Sequence, residues 1–130
     1  MMSTNDGDAK VRCLYLDTIG LLSKAYNYAD LAYIGGGFGA GIHNILEPAV
    51  WGIPVLTGPK TKGVVESHEL RQLGGVRTEK SAQNLKDTGL EWMNNDSERT
   101  QAGEVCKAYC AAGKGATAII VEGLRSLLKN

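Results

Sequence analysis

Tyr33-Ile34-Gly35-Gly36-Gly37-Phe38-Gly39-Ala40-Gly41-Ile42-His43-Asn44-Ile45-Leu46-Glu47-Pro48-Ala49 is the stretch that decides how this chain folds. Apolar residues run into a glycine-dense loop, and a polar group then opens a helix-compatible segment. Glycine admits positive φ and close backbone approach, at an entropic cost. A helix start adds unpaired N–H groups and a partial positive charge. Strand, glycine loop and helix start together make a candidate seat for an anionic ligand such as a nucleotide phosphate.

Working outward, residues 11–16 (Val-Arg-Cys-Leu-Tyr-Leu) read as a short strand covered on both faces. A helix follows from Ile19 to about Ala29, capped by Asp17 or Thr18. Leu31 to Ile34 is the strand that feeds the glycine loop. Asn44 to Trp51 reads as a short helix ended by Gly52, and Ile53 to Leu56 as a third strand with Pro54 near its start. After the loop 57–63, Val64 to Leu73 is a helix stopped by Gly74-Gly75, and Val76 to Thr78 a fourth, weak strand. Helices are expected over 81–94, 96–112 and 116–128, with Gly113-Lys114-Gly115 between the last two. On the helix 96–112, Ala102, Val105, Cys106, Tyr109 and Cys110 share a face.

Short apolar strands alternating with helices predict an α/β fold, a Rossmann-like parallel sheet with flanking helices and right-handed crossovers. In such sheets ligands bind beyond the carboxyl ends of the strands. The glycine loop, Asp17-Thr18-Ile19-Gly20 and Thr57-Gly58-Pro59 are therefore expected on one rim.

Composition narrows the function classes. The chain has 130 residues, with 14 basic and 14 acidic side chains. That balance, without a basic stripe, argues against nucleic-acid binding. No apolar run approaches the ~20 residues that span a bilayer. Residues 1–10 begin with a polar stretch, unlike a secretory signal, and read as a frayed end or an expression remnant. Residues 11–130 read as one domain. Cys13, Cys106 and Cys110 are an odd number without a metal-type pair spacing, so they read as reduced thiols. Neither His43 nor His68 has metal-ligand company, and no metal or cofactor is expected.

The glycine loop fits G-x-G-x-x-A after a strand, as in dinucleotide folds. The acidic residue expected at the end of the next strand is missing, because that strand ends in Leu56-Thr57-Gly58. Neither Gly58-Pro59-Lys60-Thr61-Lys62-Gly63 nor Gly113-Lys114-Gly115-Ala116-Thr117 has P-loop spacing. The cluster His43-Asn44-Ile45-Leu46-Glu47 supports two readings. Asn44 with Glu47 three residues later resembles a capping box, a purely structural role. Alternatively, Glu47 accepts hydrogen bonds from ribose hydroxyls while loop and helix N–H groups hold a phosphate and His43 donates to it.

Four segments then carry a family resemblance: Asp17-Thr18-Ile19-Gly20, Ala29-Asp30-Leu31-Ala32-Tyr33-Ile34-Gly35-Gly36, His43-Asn44-Ile45-Leu46-Glu47-Pro48-Ala49, and Gly52-Ile53-Pro54-Val55-Leu56-Thr57-Gly58-Pro59. In this order they resemble the C-terminal part of the 3-deoxy-D-manno-octulosonic acid (Kdo) transferases, in a Bacteroides-type form, over roughly residues 11–128. The resemblance implies a GT-B glycosyltransferase whose C-terminal domain binds CMP-Kdo. It also implies Kdo transfer to lipid IVA, in lipopolysaccharide biosynthesis, on the cytoplasmic face of the bacterial inner membrane. Carried onto this sequence, the CMP contacts are Ile19, Gly20, Leu21, Asn44, Ile45, Leu46 and Glu47, with Gly36, Gly37 and His43 added from the loop. Leu21 departs from the Glu that many members carry there. The family's proton acceptor and its Pro-Arg phosphate segment would precede residue 1. The chain is thus expected to be a truncated piece without a catalytic residue, inactive alone, with lipid IVA and membrane contacts made by an absent N-terminal domain. The rival readings are a UDP-sugar transferase or epimerase of the same architecture, and a non-catalytic nucleotide-binding or interaction domain.

Overall fold

The structure, a computed structural model, describes residues 13–113 and 115–128. Its centre is a parallel sheet of three strands, β1 (Ala32–Ile34), β2 (Val55–Thr57) and β3 (Val76–Thr78), in the order β1-β2-β3. Ala32 lies opposite Val55, and Val55 opposite Val76. Successive residues of β2 point to opposite faces, so both faces need apolar cover. Val55 joins Ile34, Ile45, Ala49, Leu70, Val76 and Cys106 in the larger core cluster. Leu56 joins Trp92 and Ala102 in the smaller one on the other face.

The helices are α1 (Leu22–Ala25) with a following 3-10 turn (Tyr26–Tyr28), α2 (Leu46–Val50), α3 (Val65–Leu73), α4 (Ala82–Asn94), α5 (Asp96–Ala112) and α6 (Ala116–Leu128). From α3 onward their limits follow local chemistry. Gly74 ends α3 at φ 93°, the left-handed geometry that glycine adopts without strain. Ser81 caps α4, its hydroxyl accepting from the Asn84 N–H at 3.1 Å, and Asn95 caps α5 by accepting from the Glu98 N–H at 3.1 Å. Asp96 is then the first helical residue.

α5 lies against the sheet connections at backbone distance. A Cβ on Gly103 would fall 2.2 Å from the Gly52 carbonyl oxygen, and one on Gly75 would fall 2.7 Å from Cys106 Sγ. The Cys106 thiol donates to the Gly75 carbonyl at 3.2 Å. Arg77 of β3 stacks over Trp92, 4.8 Å from the ring centroid, and pairs with Glu91 at 2.9 Å and with Glu98. That ties β3 to α4 and α5 through one side chain.

Three expectations need correction. Of the strand expected over 11–16, residues 11 and 12 lie outside the described residues, and 13–16 form no strand. Leu14 and Tyr15 are exposed, and no described strand lies beside them. An apolar run becomes a strand only where a neighbour takes up its N–H and C=O groups. The sheet therefore has three strands among the described residues, not four. The helix expected over 19–29 shrinks to α1 and its 3-10 turn. Asp17 and Thr18 do not cap it, no side chain caps Leu21, and α1 buries no residue. A single turn with no buried face has little to hold it. The glycine loop's helix starts at Leu46, not Asn44. Residues 1–10, expected to be a frayed end or an expression remnant, lie outside the described residues.

Candidate functional site

The glycine loop leaves β1 at the carboxyl end of the sheet and folds back on itself. Gly39 and Gly41 both donate to the Gly36 carbonyl, at 2.9 and 3.1 Å, and His43 N–H reaches the Gly35 carbonyl at 3.3 Å. Gly36 sits at φ 90°, and a Cβ there would lie 2.0 Å from the Gly41 carbonyl oxygen. Gly37 is buried against Gly58, in the loop after β2, where a Cβ would lie 2.6 Å from the Gly58 Cα. Buried Thr57 donates its hydroxyl to the Ile34 carbonyl at 3.0 Å, just below this junction. Lys60 completes it. Its N–H donates to the Gly37 carbonyl at 2.9 Å, and its Nζ to the Gly39 carbonyl at 2.9 Å. Gly36 and Gly37 are thus explained by closing the loop upon itself and upon its neighbour.

His43, Asn44, Ile45 and Leu46 line one cavity of about 230 Å³, together with Val64 and Glu66. His43 and Asn44 are exposed. Ile45 is only 1% exposed and belongs to the larger core cluster, so a ligand can meet its backbone but not its side chain. Asn44 Oδ1 accepts from the Leu46 N–H at 2.9 Å, and Asn44 Nδ2 donates to Glu47 Oε1 at 3.4 Å. The Asn–Glu pair therefore fastens the helix start from outside, one residue before Ile45. This weakens the helix N-terminus as an anion seat. α2 has five residues, its Leu46 N–H is taken by Asn44, and Pro48 has no N–H to give. The Glu47 carboxylate also occupies the first turn, where an incoming anion would meet a like charge.

Ile19, Gly20 and Leu21 do not line that cavity, and neither do Gly36, Gly37 and Glu47. Ile19 and Leu21 are exposed, and Gly20 sits at φ 90° with open space where a Cβ would be. The segment 17–20 is not at a strand end, because the strand expected before it is missing among the described residues. The turn after α1, rather than this segment, is what comes within electrostatic reach of Glu47: burial, and then the Glu47 carboxylate, push the Tyr26 phenol above its ordinary value. Tyr26 and Lys60 were not among the residues the sequence singled out. No spacing rule links either to the loop, since Tyr26 comes from the turn before β1 and Lys60 from the loop after β2.

No protein-family model matches the chain. The 3-deoxy-D-manno-octulosonic acid transferase of Aquifex aeolicus is 39% identical over 64 residues, covering 48% of this chain and 18% of that protein. The enzyme of the same name from Bordetella pertussis is 29% identical over 114 residues, 86% of this chain and 27% of that protein. The chain thus spans a small part of the length of these relatives. Among solved structures, the C-terminal CMP-Kdo binding domain of WaaA from Acinetobacter baumannii matches with a TM-score of 0.65 and 26% identity, over 70% of this chain and 49% of that one. Sequence and fold together place this chain with the 3-deoxy-D-manno-octulosonic acid transferases, as the counterpart of their C-terminal part.

Proposed function

We propose that this chain is the donor-binding part of a Kdo transferase of GT-B architecture and that its ligand is CMP-Kdo. The observation that carries this reading is the assembly of His43, Asn44, Ile45 and Leu46 around one cavity, in a fold shared with a CMP-Kdo binding domain. Glu47 accepts hydrogen bonds from the ribose hydroxyls, with Asn44 holding the carboxylate in place. Ile45 and Leu46 offer backbone groups. Ile19, Gly20 and Leu21 supply a further edge of the CMP site. Gly36 and Gly37 shape the rim, and His43 donates to the bound anion. No residue of this chain is assigned as the catalytic base.

In the whole protein, the donor site would serve transfer of Kdo from CMP-Kdo to lipid IVA, at the cytoplasmic face of the inner membrane. No described helix is long and apolar enough to cross a membrane. Acceptor and membrane contacts are assigned to parts of the protein beyond this chain.

Binding of CMP, UMP and NAD to wild type and to Glu47→Ala tests the reading. CMP is expected to bind weakly but best, and Glu47→Ala to weaken it roughly tenfold through loss of charge-assisted hydrogen bonds. Unchanged CMP affinity in Glu47→Ala would leave the Asn44–Glu47 pair with only its structural role. Tighter binding of UMP would favour a UDP-sugar enzyme. Supplied with CMP-Kdo and lipid IVA, the 130-residue chain is expected to make no product. Product formation would show that the chain holds a base this reading lacks.

A further inference from the structure

A nucleotide phosphate needs a positive partner, and the helix start beside the cavity is poorly equipped to be one. Leu46 has lost its N–H to Asn44, Pro48 has none, and Glu47 and Glu66 are both negative. Among the described residues, Lys60 brings a cation to the glycine loop outside the cavity lining, its Nζ 2.9 Å from the Gly39 carbonyl. Its side chain is exposed, and the ion pairs of the described residues (Arg77 with Glu91 and Glu98, Arg99 with Asp96) do not involve it. An ammonium has three donors, and one neutral carbonyl engages one of them. A phosphate oxygen is the stronger acceptor, because both partners are then charged. The stem of Lys60 is also well anchored. Its N–H is bonded to the Gly37 carbonyl, and Gly58, two residues earlier, is wedged against Gly37.

We propose that Lys60 is the phosphate-facing cation of this site, resting on the Gly39 carbonyl and turning from it to the phosphate of a bound nucleotide. This rests on the reading of CMP as ligand. Lys60 touches substrate in this account and carries no proton-transfer step.

The 130-residue wild-type chain, Lys60→Met and Lys60→Arg are titrated with CMP and with cytidine, at low and high salt. Lys60→Met is expected to bind CMP roughly tenfold more weakly, with a flatter salt dependence, and cytidine as well as wild type does. Lys60→Arg keeps most of the CMP affinity. Unchanged CMP affinity in Lys60→Met overturns the proposal. So does an equal loss for CMP and cytidine, which would make Lys60 only a clasp on the loop. If wild type prefers UMP or NAD to CMP, the CMP reading fails while Lys60 stands, provided the phosphate-dependent loss persists with the preferred nucleotide. A wild-type chain that binds no nucleotide overturns both.

Discussion

Individual glycines in the loop 35–41 have different jobs. Gly37 and Gly58 touch backbone to backbone, whereas Gly35 has open space around its missing Cβ and no positive φ. Gly37→Ala is therefore expected to destabilise the fold by about 1–3 kcal/mol through overpacking. Gly35→Ala should change it by less than about 0.5 kcal/mol. Chemical denaturation of the two variants separates these, and equal effects would contradict the interlock. The cysteines differ as sharply. Cys13 is exposed, while Cys106 is fully buried, and burial followed by the neighbouring Cys110 pushes its thiol from 9.0 to about 12. A raised folded-state value means that the neutral thiol supports stability below pH 9, and that this support is lost as pH climbs towards 12. Thiol labelling at pH 8 should modify Cys13 quickly and Cys106 only at the rate of unfolding. The polar cluster at 43–47 was legible because its residues adjoin in sequence. Tyr26 and Lys60 were not, because long-range folding brings them in.

Helices α3, α4 and α5 were legible because each carries its own punctuation at one end. Ser81 and Asn95 cap α4 and α5, and Gly74 closes α3. Ser81→Ala is expected to cost about 1 kcal/mol, measured by thermal or denaturant unfolding. A neutral outcome would mean that the Asn84 N–H finds water at no penalty. The segment 13–21 misled for the opposite reason. Its apolar letters suit a strand and its polar letters suit a cap, but nothing in it says whether a neighbouring strand is present. The grip of Arg77 on Trp92, Glu91 and Glu98 was equally illegible, since it joins a strand to two helices.

For the molecule as a whole, the parallel α/β plan followed from the alternation of short apolar runs with helices, and it needed only the chain from β1 onward. Two surfaces are left without cover among the described residues. β1 has β2 as its one neighbour, and α6 exposes Ile119, Ile120, Leu124, Leu127 and Leu128. Open strand edges and apolar faces invite association. Sedimentation velocity is expected to show self-association growing with concentration, and a monomer at all accessible concentrations would argue against this.

The wedge between Gly37 and Gly58 also ties the rim to the sheet. One glycine follows β1 and the other follows β2, so their contact is coupled to the pairing of those strands. The loop is clamped to the sheet at both strand ends rather than hung on it as a flap. Its amide protons, those of Gly39 and Gly41 in particular, should exchange with solvent on the clock of the central strands. Binding at the proposed nucleotide site would then depend on the central strands, and a substitution that loosens β2 would empty that site without touching it.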